Sequence, residues 1–185
     1  MRKTFTLILI LTILSGCQTT GKSYFGTQSS SASKASFFND QSVIMNVSMA
    51  LSKEKDLWKN SHINILHHNN SLLLVGQTNI IEYKEKSERI ASNADGIDKI
   101  YNQIRITKPI SYAQRAKDAW ITTQVKAKYF AEKKIGFNDV KVLTENNRVF
   151  LMGTLSSKDQ ELAVKVASSV DDVQEVLKIF DEPTT

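Results

Sequence analysis

The sequence predicts an α+β chain made of two tandem copies of one αββαβ unit, each a three-stranded sheet covered by two helices. Three observations predict it. Residues 40–106 align with residues 118–181 as an internal repeat. Each copy opens with an Asp followed by apolar residues four apart, the spacing of a helix with one buried stripe. Each continues with two alternating apolar runs joined by an Asn-bearing turn and closed by a Gly, the pattern of a β-hairpin.

The elements follow in order. Asp40 precedes Val43, Val47 and Leu51, and Asp118 precedes Ile121, Val125 and Tyr129; both Asp residues read as N-caps of the first helix of a copy. Ile63–Leu66 and Leu72–Val75, joined through His67-His68-Asn69-Asn70-Ser71, form the first hairpin. Val140–Leu143 and Val149–Met152, joined through Glu145-Asn146-Asn147-Arg148, form the second. Gly76 and Gly153 are expected to end the second strands. Small apolar residues mark the next helix of each copy, Ile90, Ala91 and Ala94, then Ala163, Val166, Ala167 and Val170. Ile100, Ile104 and Ile106, or Val176, Leu177 and Ile179, supply the last strand. About 65 residues is near the lower limit for a self-sufficient core, so the two copies are expected to pack together.

Ahead of the repeat lies an address. Arg2 and Lys3 precede an apolar run from Phe5 to Leu14, too short for the roughly 20 residues that cross a bilayer, and Leu14-Ser15-Gly16 leads into Cys17. That run resembles a bacterial lipobox, whose Cys is acylated and becomes the first residue of the mature chain. Cys17 is the single Cys of the sequence, which excludes an internal disulfide and disfavours a Cys-based metal site. Residues 18–39 are Ser-rich and without apolar periodicity, reading as a flexible tether with a reach of about 25 Å. The expected organisation is therefore a lipoprotein signal peptide over 1–17, a tether over 18–39, and folded units over 40–107 and 113–182. Gln18 after the Cys resembles the sorting signal for the outer membrane.

The repeat resembles the BON domain over nearly all of residues 40–181. Its second copy, through Ala119-Trp120-Ile121-Thr122-Thr123-Gln124-Val125-Lys126, Thr144-Glu145-Asn146 and Val149-Phe150-Leu151-Met152-Gly153, is similar to the dual-BON outer-membrane lipoproteins of the DolP type. The resemblance implies a lipid-anchored protein facing the periplasm. It also implies binding to anionic phospholipid through the first helix of the second copy, enrichment at division sites and support of envelope integrity. One departure is a Gly-Val pair before the last strand, which is Gly96-Ile97 in the first copy but Asp172-Val173 in the second. Asp tolerates turn conformations, so the fold is expected to survive.

At 100° per residue with Trp120 at zero, Ile121, Val125 and Tyr129 fall between about 100° and 180°. Trp120, Ala127, Phe130 and Ala131 fall on the other side, between about 280° and 20°. The helix thus has two apolar faces, one for its own sheet and one to spare. Lys126, Lys133 and Lys134 border the outer face. Aromatic rings framed by cations suit a lipid headgroup boundary. The expected phospholipid-facing set is Trp120, Thr123, Lys126, Ala127, Phe130, Ala131, Lys133 and Lys134, against phosphatidylglycerol or cardiolipin. The first-copy helix has Met45, Met49 and Lys53 and no aromatic residue, which favours the second copy. The alternative is a periplasmic adaptor or chaperone presenting the same patch to envelope proteins.

His62, His67 and His68 cluster at one hairpin, but no acid or Cys near them in sequence completes a metal set, and a solvated turn is the expectation. Glu82, Glu85 and Glu88 with Lys84 and Lys86 read as a charged helix face. No nucleophile–base pairing and no glycine-rich phosphate loop is present, so no enzyme, cofactor or metal is expected. The net charge of +5 falls to +3 without Arg2 and Lys3, and export removes the chain from nucleic acid.

Overall fold

Both halves of the chain adopt the α+β unit that the repeat predicts. The computed structural model describes residues 30–132, 135 and 139–183, with side chains from Asn39 onward. The first copy contains α1 (Ser30–Lys53), α2 (Lys55–Asn60), β1 (Ser61–His68), β2 (Ser71–Thr78), α3 (Ile81–Ser92) and β3 (Lys99–Ile106). The second contains α4 (Tyr112–Glu132), β4 (Val140–Glu145), β5 (Arg148–Thr154), α5 (Ser157–Ser168) and β6 (Glu175–Asp181). The sheets are ordered β1-β2-β3 and β4-β5-β6. Each middle strand runs antiparallel to the strand before it and parallel to the strand after it. Parallel neighbours need a crossover, which α3 and α5 provide.

The middle strands explain how two small units hold together. Leu72 and Leu74 pack toward α1 and α3, and Val149 and Leu151 toward α4 and α5. The alternate residues Leu73 and Val75 meet Phe150 and Met152 in a separate core between the sheets, with at most 1% of any of the four exposed. Successive strand residues point to opposite faces, so a strand sandwiched between helices and a second sheet is apolar at every position. The run Leu72-Leu73-Leu74-Val75 records that sandwich. The molecule is thus layered helix, sheet, sheet, helix.

Polar contacts border this joint. On one side the Glu145 carboxylate accepts hydrogen bonds from Asn64 Nδ2 at 2.7 Å and Gln77 Nε2 at 2.8 Å, with His62 Nε2 3.4 Å away. On another, Lys141 reaches from β4 to the Asp40 carboxylate and the His67 carbonyl. Asp40 also faces His67 Nδ1 at 2.7 Å, and His68 Nε2 lies 2.8 Å from Thr154 Oγ1. The three histidines therefore do not form a solvated turn. His67 is fully buried, and acids distant in sequence arrive through tertiary packing, Asp40 at His67 and Glu145 at His62. Among the described residues no three His, Cys, Asp or Glu side chains are placed to hold a metal ion.

Three local expectations need correction. Asp40 and Asp118 lie inside α1 and α4 and are not N-caps. At α4 the Gln114 backbone amide donates to Ser111 Oγ at 3.2 Å, the contact of a true cap seven residues upstream of Asp118. Asp118 instead turns inward and accepts from the Asn146 and Asn147 amides at 2.7 and 2.9 Å. α1 begins at Ser30, so part of the segment read as tether is helical. Gly76 and Gly153 do not end their strands, which run on to Thr78 and Thr154. A Cβ at Gly76 would lie 1.8 Å from the His62 carbonyl oxygen, and one at Gly153 2.1 Å from that of Asp139, so both glycines admit the neighbouring strand's backbone. The six-residue helix α2 was not legible either, and the first copy is the repeat unit with that turn of helix added. Asp172 does replace Gly96 as expected: both take left-handed backbone, with φ of 68° and 81°.

Candidate functional site

α4 is the element that carries the candidate site. Its inner stripe, Asp118, Ile121, Val125 and Tyr129, is buried. The Tyr129 hydroxyl donates to the Ala163 carbonyl at 2.8 Å, and burial pushes its phenol well above the ordinary tyrosine range, keeping it neutral. These anchors fix the helix rotation on its sheet. The opposite stripe must then face away.

Trp120 is 63% exposed and Phe130 76%, and Thr123, Lys126, Ala127 and Ala131 are exposed beside them. Six of the eight residues expected from the sequence thus share one outward face. Lys133 and Lys134 lie outside the described residues, as do Cys17, the signal segment and residues 18–29 of the tether. The stripe is longer than the sequence suggested. Tyr112, 84% exposed, lies eighteen residues before Phe130 and so at the same angle around the helix. Ala116 and Ala119, both exposed, continue the face between Tyr112 and Trp120. Reading Asp118 as the cap hid these residues; Ser111 followed three positions later by Gln114, the capping-box spacing, was the available signal.

The cations divide by flank. On one side Lys117 pairs with Asp172 at 2.8 Å and Lys128 donates to the Ser169 carbonyl at 2.6 Å. On the other, Arg115 and Lys126 lie about 20° apart around the helix. Lys126 is exposed, and neither has an ion pair among the described residues. Among the described residues, the cations of α4 without an ion pair or a carbonyl partner therefore border one edge of the stripe. No described helix is long and apolar enough to cross a membrane. The exposed face of α1 offers Met45 and Met49, 57% and 52% exposed, with Ser42 at the position equivalent to Trp120.

The BON domain family model matches residues 39–108 and 117–178. The chain belongs to the BON-domain family. A prokaryotic membrane lipoprotein lipid attachment site matches residues 1–18 of this dual-BON chain. The outer membrane lipoprotein DolP of Haemophilus influenzae is 32% identical over 142 residues, 77% of this chain and 74% of that protein. The 21 kDa hemolysin of Actinobacillus pleuropneumoniae is 36% identical over 143 residues, again 77% and 74%. The osmotically-inducible protein Y of Escherichia coli is 28% identical over 162 residues, 86% of this chain and 81% of that one. With two BON units behind a lipid attachment site, the protein is a dual-BON lipoprotein of the DolP type, lipid-anchored at the outer membrane.

Proposed function

We propose that this BON-domain lipoprotein is a non-catalytic component that supports outer-membrane integrity by docking α4 on anionic phospholipid, phosphatidylglycerol or cardiolipin. The supporting observation is the doubled amphiphilicity of α4: Trp120 and Phe130 are 63% and 76% exposed on a helix whose other stripe is already sealed against its sheet. Indole and phenyl rings gain by entering the headgroup boundary, and each cation beside them contributes about 1 kcal/mol near an anionic surface. An amphipathic helix held in the interface plane binds by that combination of apolar burial and charge.

The Cys17 acyl anchor supplies the second attachment. With one end fixed in the bilayer, the helix samples the same surface at high effective concentration, so weak intrinsic affinity suffices for docking. Local anionic lipid then governs how much of the time α4 lies on the membrane. This makes the protein a reader of envelope composition.

The test uses the mature acylated chain reconstituted in vesicles, with Trp58→Phe leaving Trp120 as the sole indole. Vesicles containing phosphatidylglycerol should shift Trp120 emission to the blue and make it quenchable by brominated acyl chains. Neutral phosphatidylcholine vesicles should not. Phe130→Glu should return the emission to that of water with an unchanged melting temperature. Emission indifferent to lipid composition would remove lipid docking and leave a protein-binding adaptor as the reading of the same stripe.

A further inference from the structure

A cavity of about 280 Å³ opens at the N-terminal end of α4, where the two copies meet, with Trp58, Lys59, Ser61, His62, Tyr112 and Arg115 in its lining. Two of its polar atoms are unsatisfied: Ser61 Oγ and Arg115 Nε are buried and have no hydrogen-bond partner. The Arg115 guanidinium carbon stands 4.9 Å from the Tyr112 ring centroid, which fixes one face of the guanidinium and leaves its edge to offer donors. Trp58, 51% exposed, supplies a second aromatic wall. Among the described residues no acid lines the cavity, and Glu145, 3.4 Å from the lining His62, already has both oxygens engaged by Asn64 and Gln77. The uncommitted chemistry is therefore that of donors and cations: a guanidinium, an ammonium and a hydroxyl between aromatic walls. Such a lining takes an oxyanion rich in acceptors, and a guanidinium fork matches phosphate geometry.

Its position narrows the source. Tyr112 belongs both to the cavity and to the outward stripe of α4, and Arg115 shares its flank of the helix with Lys126. An anion lying along that flank would pass from one cation to the other, as headgroups do beside an interfacial helix. We propose that the cavity receives the phosphodiester of an anionic phospholipid headgroup, with Arg115 and Ser61 as donors and Trp58 and Tyr112 as walls. The inference rests on membrane docking through α4 and adds what that docking lacks, a site that reads the headgroup. It also gives the first copy, through Trp58 and Ser61, a share in recognition.

The mature acylated chain in neutral phosphatidylcholine nanodiscs, with Trp120→Phe leaving Trp58 as the sole indole, tests this. Glycerophosphoglycerol, the soluble deacylated headgroup, should produce a saturable change in Trp58 emission, and phosphatidylglycerol placed in the disc should reproduce it. Arg115→Gln should weaken binding at least tenfold and Ser61→Ala severalfold, each with an unchanged melting temperature. Inorganic phosphate should bind at least tenfold more weakly than glycerophosphoglycerol; equal binding would mark an adventitious ion only and overturn the proposal. No saturable response to either form of the headgroup, or a response that survives both substitutions, would also overturn it. The two readings separate cleanly. Trp120 entering the bilayer while Trp58 stays silent sinks the pocket alone, and Trp58 responding while Trp120 stays in water sinks the docking alone.

Discussion

Asp40 and Asp118 hold equivalent places in the two copies, and they do opposite work. Asp118 stays within its own unit, where its carboxylate closes the β4–β5 turn by accepting two backbone amides, with Asn146 and Asn147 in left-handed backbone at φ of 52° and 63°. Asp40 meets His67 of its own hairpin and, across the joint, Lys141 of the other copy. One repeat position thus serves once as a local turn clamp and once as part of the joint. The helices that carry them diverge the same way: α4 presents Trp120, Phe130 and Tyr112 outward, whereas α1 presents Met45 and Met49. Duplication left the second copy as the more regular unit with the aromatic surface, and the first copy as the one that adapts to it.

The joint is where that contrast breaks most easily. Phe150→Ala empties the core shared by the two sheets and should cost about 3–5 kcal/mol, read as a loss of urea stability of the full chain. A loss below about 1 kcal/mol would mean that the copies do not depend on a common core.

The Asp pair sharpens the comparison at smaller cost. Asp118→Ala leaves two amides without their acceptor and should cost about 2–3 kcal/mol, with faster hydrogen exchange confined to Asn146 and Asn147. Asp40→Ala leaves Lys141 and His67 without their carboxylate, so its disturbance should extend into both copies. Exchange profiles that look alike for the two variants would contradict the division of roles.

His68 gives the smallest effect. Burial, then the nearby Lys141 charge, holds its imidazole below the usual 6.5, so the unfolded chain takes up the proton first as pH falls. Stability from this group is present above pH 6.5 and lost below it. His68→Gln should therefore reduce the fall in urea midpoint between pH 7 and pH 5. An unchanged fall would remove His68 from the pH response of the joint.

What the sequence disclosed depended on periodicity. The two apolar phases of α4 are legible because Ile121, Val125 and Tyr129 repeat every fourth residue while Trp120 and Phe130 occupy the other side. The hairpins are legible because turn chemistry is local. The histidines were misread because their partners lie far along the chain, Asp40 at 27 residues from His67 and Glu145 beyond the connector. The cap was misplaced because an Asp ahead of an apolar stripe fits a capping role as well as an inward clamp, and only packing distinguishes them. The cavity at Trp58 and Arg115 had no sequence signature, since it is assembled from α2, β1 and the start of α4.

We propose that the outward face of α4, and not the equivalent face of α1, meets the bilayer. This is tested most directly by two single-indole proteins, both mature, acylated and reconstituted in vesicles containing phosphatidylglycerol with brominated acyl chains. One keeps Trp120 in a Trp58→Phe background; the other carries Ser42→Trp with Trp58→Phe and Trp120→Phe. Docking through α4 should give strong quenching of the indole at 120 and leave the emission at 42 that of an indole in water. Equal quenching at the two positions, or quenching at 42 alone, would contradict it.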